Sequence, residues 1–212
     1  MIRPSPTIAP LGRERVEDCA RILADSFADD PVYGHLIPDP RRRRQALRAF
    51  LAMPVRDALA FDTAWVALYE SDVVGVAVWL PPGAFPWSTW RKLRVAPGFL
   101  TVLRAAPRAL PGLMALGGAI DRLFPQDPVW YLEVVGVHPD AQGRGIGTHL
   151  LEPGLARADE EGLPCYLETP HPDNVRFYER LGFQLERAGV PLVSGGPTHW
   201  TMRRPPRPGK DA

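Results

Sequence analysis

The sequence predicts an α/β fold with a mixed central sheet. Three observations favour it: a strand hairpin in the first half, a Gly-rich turn that joins a strand to a helix in the second, and an ordinary globular composition. Hydrophobic residues make up 45% of the chain and charged residues 23%. The predicted order after an N-terminal helical part is ββ, a helical insert, then βαβαββ, which is typical of an α/β sandwich. A length of 212 residues suits one domain, assigned to residues 1–204.

The first half is predicted from periodicity and caps. Residues 7–11 form a short strand, and apolar side chains recur every three or four positions over residues 14–27, which predicts a helix. Asp39 and Pro40 begin a second helix as cap and first-turn residue. Segments 64–69 and 73–80, the second of which is rich in Val, predict an antiparallel hairpin.

The second half begins with the helical insert, residues 86–128, where prolines at 97, 107, 111 and 125 are expected to break helices above a site. The remaining elements are a strand at 130–137, a helix at 145–161, a strand at 164–169, a helix at 173–181, and strands at 183–190 and 198–203. Residues 205–212 are Pro-rich and are predicted to be a disordered tail.

Composition excludes several classes of function. The chain has two cysteines, five dispersed histidines and a net charge of +1. We therefore expect no metal site, no disulfide framework, and no nucleic-acid or membrane partner. The N-terminus lacks the apolar core of a secretory signal, so a cytoplasmic location is expected.

The strongest motif is a loop with glycines at 143, 145 and 147, between a strand and a helix. Such glycines let backbone N–H groups approach an anion, and the positive end of the helix adds to the attraction. No Gly-Lys-Ser/Thr follows, and the spacing is G-x-G-x-G rather than G-x-G-x-x-G. Both observations argue against a P-loop or a dinucleotide-binding turn.

The loop Gln142-Gly143-Arg144-Gly145-Ile146-Gly147 resembles the Arg/Gln-x-x-Gly-x-Gly/Ala signature of the GNAT acetyltransferases. A second block, residues 167–183, is similar to the strand, helix and final strand of that superfamily. Segments 27–31, 77–79 and 196–203 resemble the puromycin N-acetyltransferase branch, whereas residues 82–127 depart from it. The resemblance implies a GNAT-type, mostly antiparallel sheet and direct transfer of acetyl from acetyl-CoA to an amine.

The resemblance also implies an acetyl-CoA site. The strand before the loop is expected to carry a bulge and to splay from the next parallel strand, so that the pantetheine arm lies in the cleft. The residues implied are Val135, Gly136 and Val137 on the strand, Gln142, Gly143, Arg144, Gly145, Ile146, Gly147 and Thr148 in the loop, and Asn174 and Phe177 on the following helix.

Two residues are candidates for proton transfer. The resemblance implies that Tyr178 is the acid that protonates the thiolate. Glu133 is the candidate base, because strict alternation would place Tyr131, Glu133, Val135 and Val137 on one face of an apolar strand. The alternative for Glu133 is a structural carboxylate paired with an arginine.

The acceptor is less well specified. Tyr33, His35 and Glu168 are candidate acceptor contacts, with Glu168 alternatively paired to Arg176. A small-molecule amine is favoured because the Trp-bearing insert suggests a closed pocket. Acetylation of a peptide or protein, and a non-catalytic acyl-CoA sensor, are the alternatives. A homodimer is possible by resemblance.

Overall fold

The computed structural model describes residues 5–207 of the chain. Its strands are β1 Thr7–Pro10, β2 Ala64–Tyr69, β3 Asp72–Leu80, β4 Trp130–Val137, β5 Cys165–Thr169, β6 Gln184–Pro191 and β7 Thr198–Arg204. Its α-helices are α1 Val16–Ser26, α2 Pro31–Leu36, α3 Pro40–Ala58, α4 Thr89–Ala105, α5 Leu110–Leu123, α6 Ile146–Glu160 and α7 Pro172–Arg180.

The seven strands form one open sheet in the order β1-β2-β3-β4-β5-β7-β6. Every neighbouring pair is antiparallel except β4 and β5, which are parallel. The mixed, mostly antiparallel sheet predicted from the sequence is therefore confirmed. The parallel pair arises because α6 carries the chain back from the end of β4 to the start of β5.

Helices cover both faces of the sheet. On one face α1 and α3 pack with the apolar side chains of β2 and β3 around Val66, Val76 and Val78. On the other face α6 and α7 pack around Trp79, Leu150 and Leu167. Each face of the sheet is therefore a separate apolar core.

The two cysteines lie in these two cores. Cys19 belongs to α1 and Cys165 to β5, and both side chains are fully buried and free. Burial is the main reason why the pKa of each thiol is raised to about 12.

Side-chain caps begin two of the helices before β2. Asp39 Oδ1 accepts a hydrogen bond from Arg42 N at 2.8 Å, as the predicted cap of α3 requires. Asp30 Oδ1 accepts from Val32 N at 2.9 Å and so starts α2, a helix that the sequence analysis did not predict. Six residues are too few to show a helical period, but the Asp30-Pro31 pair is a recognisable start signal.

The insert differs from its prediction at one proline. Helix α4 ends before Pro107 and helix α5 ends before Pro125, while Pro111 lies in the first turn of α5. Helix α4, however, continues through Pro97. Pro97 removes the N–H that would bond to the carbonyl of Leu93. Because Leu93 is exposed, water can donate a hydrogen bond to that carbonyl instead, and the predicted break at Pro97 is wrong.

Among residues 5–207, no single helix has both the length and the apolar composition to cross a bilayer; Thr89–Ala105 and Pro107–Leu123 meet those criteria only together, with a bend of 118° between them.

The C-terminal segment is anchored as far as it is described. Arg204 donates to both carboxylate oxygens of Asp159 at 2.7 Å, and the N–H of Arg207 donates to Asp159 Oδ1 at 2.8 Å. The tail predicted to be disordered from residue 205 is therefore tied to α6 through residue 207. Residues 208–212 of that predicted tail lie outside the described residues.

Candidate active site

A cleft opens where β4 and β5 separate. The two strands pair only at Trp130↔Cys165 and Tyr131↔Tyr166. Beyond this point β4 stays paired to β3 as far as Val137, and β5 stays paired to β7 as far as Thr169. The splay expected from the resemblance is thus present, and it leaves one edge of β4 with backbone groups that β5 does not satisfy.

A bulge lies at Glu133. The register with β3 jumps from Trp79↔Leu132 to Val78↔Val134, so Glu133 has no partner on β3. Such an extra residue reverses the alternation of faces. Accordingly Tyr131 packs with the insert, whereas Val135 and Val137 pack on the α6 side. The prediction that Tyr131, Glu133, Val135 and Val137 share one face is therefore wrong.

Gly136 lies after the bulge, against α1. A Cβ added there would come within 2.9 Å of Leu23 Cδ2 and 3.1 Å of Ser26 Cβ, so only glycine lets the helix approach this closely. The structure gives Gly136 a packing role that the resemblance did not indicate.

The Gly-rich loop is shaped by positive φ angles and by its own side chains. Gly143 has φ +74° and Gly145 has φ +77°, in the left-handed region that favours glycine. Gln142 Nε2 donates to the carbonyl of Val137 at 3.0 Å, and Arg144 donates to the carbonyl of Asp140 at 2.8 Å. These two side chains fold back and hold the loop in place.

The loop presents the N-terminus of α6 to the mouth of the cleft. Gly145 is the N-cap residue, and Ile146 and Gly147 are the first helical residues, whose N–H groups have no partner within the helix. Gln142, Gly143, Arg144 and Gly145 are exposed, and Thr148 is half-buried in the first turn. This arrangement suits an anion such as a pyrophosphate.

Helix α7 forms the adjacent wall. A Cβ on Gly147 would lie 3.3 Å from the Phe177 ring, so α6 and α7 are in close contact here. Asn174 Nδ2 donates to Thr169 Oγ1 at 3.3 Å. Helix α7 starts after its N-cap residue His171, and no side chain, neither that of Asp173 nor that of Asn174, caps it.

Tyr178 lies on α7 among aromatic neighbours. Its ring centroid is 5.1 Å from that of Phe177 and 5.8 Å from that of Phe183. Burial, followed by the charge of Glu168, raises the pKa of its hydroxyl. Tyr178 therefore keeps its proton throughout the physiological pH range.

Glu133 faces the insert and α3. Burial raises its pKa to about 8; the Asp57 carboxylate adds to the shift and the Arg91 guanidinium opposes it. The Trp87 indole also opposes the rise in the pKa of Glu133. The indole N–H of Trp87 and Oε2 of Glu133 are nevertheless both buried without a hydrogen-bond partner.

Arg91, the arginine whose charge acts on Glu133, bonds to other groups. Arg91 Nε lies 3.0 and 3.1 Å from the two carboxylate oxygens of Asp57, and its guanidinium also bonds to that carboxylate and to the carbonyl of Ala84. The guanidinium lies over the rings of Phe61 and Trp87. Glu133 is thus not the arginine-paired carboxylate of the alternative interpretation. The pairing of Asp57 with Arg91 was not predicted from the sequence, because no local pattern links residues so far apart in the chain.

Glu168 is the second buried carboxyl group. The hydroxyl of Tyr131 donates to its Oε1, while its Oε2 is buried without a partner. Burial raises the pKa of Glu168 to about 7, against the opposing effect of this hydrogen bond. The alternative pairing of Glu168 with Arg176 is not found among residues 5–207. The charge of Glu168 also contributes to the raised pKa of both Glu133 and Tyr178.

The candidate acceptor contacts Tyr33 and His35 lie on α2. Tyr33 packs between Phe27 and Phe50, at centroid distances of 5.9 and 6.1 Å. His35 is exposed, and its Cδ2 would lie 3.2 Å from a Cβ on Gly196. Their contacts are with the helical core and the turn before β7, not with Glu133 or Tyr178.

Comparison with known proteins agrees with this geometry. Residues 22–183 match the family described as "Acetyltransferase (GNAT) family". An uncharacterized N-acetyltransferase of Schizosaccharomyces pombe is 29% identical over 187 residues, which cover 80% of this chain and 70% of that protein.

A mycothiol acetyltransferase of Cellulomonas flavigena is 37% identical over 85% of this chain, but this chain spans only 42% of that longer protein. A crystal structure from Corynebacterium glutamicum, titled as histone acetyltransferase HPA2 and related acetyltransferase, superposes with a TM-score of 0.70. It is 27% identical, and the match covers 98% of this chain and 99% of that one.

The residues at the cleft fit the acyl donor of that family. Free amides at the start of α6 suit the anionic pyrophosphate, and the unpaired edge of β4 suits an extended arm with amide groups. The family match covers most of the chain and contains both the loop and the cleft. The chain belongs to the acetyltransferase (GNAT) family and is an acetyl-CoA-dependent N-acetyltransferase.

Proposed function

We propose that this chain acetylates a primary amine of a small molecule by direct transfer from acetyl-CoA in a ternary complex. The observation that carries the proposal is the pair of buried titratable groups at the cleft. Burial raises the pKa of Glu133 to about 8 and also raises the pKa of Tyr178. The ionised form of Glu133, whose fraction grows as the pH rises toward 8, is suited to accept a proton, and Tyr178 is suited to donate one.

Glu133 is the proposed base. An amine reaches the site as an ammonium ion and must lose a proton before its nitrogen can attack. A carboxylate whose pKa is about 8 is a stronger base than an ordinary glutamate, and its unpartnered Oε2 is free to accept. Glu168, with its own unpartnered Oε2, adds negative charge that attracts the cation.

Tyr178 is the proposed acid. Acetyl-CoA supplies the acetyl group as a thioester. As the amine nitrogen forms its bond to the acetyl carbon, the carbon–sulfur bond breaks, and the hydroxyl of Tyr178 donates a proton to the sulfur. A phenol matches an alkyl thiolate in basicity closely enough for this transfer. The nitrogen loses a second proton as it becomes an amide, and this proton restores the hydroxyl of Tyr178.

The insert supports a compact acceptor rather than a peptide. Its Phe124 forms an aromatic cluster with Phe85, Tyr131 and Tyr166, with neighbouring ring centroids 4.7 to 6.1 Å apart. These rings close the side of the sheet on which Glu133 and Glu168 lie. A closed apolar wall beside two carboxyl groups suits a small amine with an apolar body.

The test is thiol release from acetyl-CoA in the presence of small monoamines, diamines, puromycin or short peptides. We expect release with a small amine and a fall in kcat of roughly 10²-fold for Tyr178→Phe, with unchanged affinity for acetyl-CoA. Tyr69→Phe, on a distant strand, is the control and should behave as wild type.

Three outcomes would contradict the proposal. Release with peptides alone would overturn the small-molecule acceptor. Tight binding of acetyl-CoA without release for any acceptor, or an unchanged kcat for Tyr178→Phe, would overturn the proposed mechanism.

A further inference from the structure

Exposed apolar side chains are concentrated on α4 and α5. Of the six large hydrophobic residues that are exposed among residues 5–207, five lie on these two helices and only Leu185 lies elsewhere. The five are Trp90, Leu93, Leu100, Leu103 and Met114. Trp90 is 70% exposed and Met114 is 64% exposed, although both are side chains that water disfavours.

These residues form a stripe on α4. Trp90, Leu93, Pro97 and Leu100 follow each other at intervals of three or four, which places them on one face of the helix. The opposite face, with Val95 and Val102, is buried against the body of the protein. The outward face of α4 is therefore an apolar surface with no partner among the described residues, and such surfaces commonly mark interaction sites.

The same segment is strongly basic. Residues 89–123 carry six basic side chains and one acidic side chain, in a chain whose net charge is only +1. Arg94, Arg104, Arg108 and Arg122 are exposed, and none of them forms a salt bridge within residues 5–207. We expected no membrane partner because the net charge of the whole chain is small. That net charge does not reveal the local excess of positive charge in residues 89–123.

A basic groove adjoins α4. It has a volume of about 880 Å³ and runs between α1, α3 and α4, beside Pro97, Gly98 and Thr101. Two acidic residues, Glu17 and Asp25, line it with five arginines: Arg21, Arg41, Arg44, Arg48 and Arg56. One of these arginines, Arg21, also pairs with Asp18. The positive charge therefore continues from the apolar stripe onto the neighbouring helices.

We propose that the α4–α5 segment and the adjoining groove bind the surface of an anionic lipid bilayer. Trp90, Leu93 and Leu100 enter the headgroup region, and the exposed arginines pair with lipid phosphates. A basic helix face with Trp and Leu is the combination that binds such surfaces. A second copy of the chain fits less well, because a two-fold contact would bring two basic segments together.

The test is co-sedimentation of the full chain with vesicles. We expect binding to vesicles that contain about a third phosphatidylglycerol to be at least about tenfold stronger than binding to pure phosphatidylcholine. Salt at about 0.5 M should weaken it, since it screens the charges. The triple variant W90S/L93S/L100S and the variant R94E/R104E should each bind at least about tenfold more weakly.

Leu185→Ser is the matched control, because Leu185 is 47% exposed on β6, away from the insert. Circular dichroism and the melting temperature establish that each variant is folded. The proposal is overturned if the chain does not sediment, if neutral vesicles bind as well, or if the triple variant binds like wild type. A dimer in light scattering that the triple variant loses would assign the surface to a second copy instead.

Discussion

Glu133 occupies a position where a negative charge is less stable than it is in water. The pKa of its carboxyl is raised to about 8 from an ordinary value of 4.5, mainly by burial. Between these values the unfolded chain releases the proton while the folded chain retains it, so the free energy of unfolding falls as the pH rises. Above pH 8 the folded chain holds Glu133 as a buried carboxylate, and the free energy of unfolding is lowered by the full cost of that burial.

Glu133→Gln should therefore be more stable than wild type at pH 9, by more than about 1 kcal/mol, with a smaller difference at pH 5. Urea unfolding at the two pH values measures this. The exposed Glu160→Gln is the control and should change little at either pH. An equal effect of Glu133→Gln at both pH values would show that its pKa is not raised.

The sequence indicated Glu133 as a candidate, but for a reason that the structure corrects. Alternation predicted one shared face, and the bulge, which depends on the register with β3, cannot be read from β4 alone. Likewise, the Tyr131–Glu168 hydrogen bond joins residues on two strands that are adjacent only in the folded chain.

The Gly-rich loop is the element that the sequence predicted most fully, because its conformation is local. Gly145 has φ +77° with open space around its missing side chain, so an added methyl group acts through the backbone alone. Gly145→Ala should bind acetyl-CoA about tenfold more weakly, since a left-handed alanine costs roughly 1–2 kcal/mol and the loop shifts to avoid it.

Gly162→Ala is a matched control at the other end of α6. Gly162 has φ +67° and equally open surroundings, so the substitution carries a similar conformational cost far from the loop. Calorimetry should show normal acetyl-CoA binding for Gly162→Ala. Similar losses in both variants would mean that the effect is on stability and not on the loop.

Elements whose existence depends on distant contacts were harder to predict. The cap at Asp39, the hairpin and the strand before the loop are local signals, and the structure contains all three. The short helix α2 has too few residues to show a helical period, and the passage of α4 through Pro97 depends on the exposure of Leu93 in the folded chain. The homodimer remains a prediction.

Across the whole molecule, Arg204 connects the last strand to α6 and to the turn after α7. It is fully buried, bonds to both oxygens of Asp159, and donates to the carbonyl of Leu181. Burial alone would raise the pKa of Asp159, but the hydrogen bonds from Arg204 and Arg207 outweigh it and lower the pKa. This stabilisation is present above pH 3.8, the ordinary value, and is lost as the pH falls below it.

Arg204→Met should lower the free energy of unfolding by about 2 kcal/mol at pH 7, because it leaves a half-buried carboxylate without its partner. Arg203→Met, one residue earlier, removes a more exposed pair with Asp127 and should cost less than about 1 kcal/mol. Chemical denaturation distinguishes them. Equal losses would contradict the assignment of Arg204 as the anchor.

The two buried thiols have a practical consequence for any assay of this enzyme. With pKa values near 12, only roughly one in 10⁴ of the Cys19 or Cys165 side chains is ionised at pH 8, and neither is accessible to a reagent in solution. A thiol-reactive dye added to the native protein should therefore stay colourless until coenzyme A is released. The same dye would colour on unfolding, so one reagent reports turnover in the folded enzyme and loss of the fold when acetyl-CoA is left out.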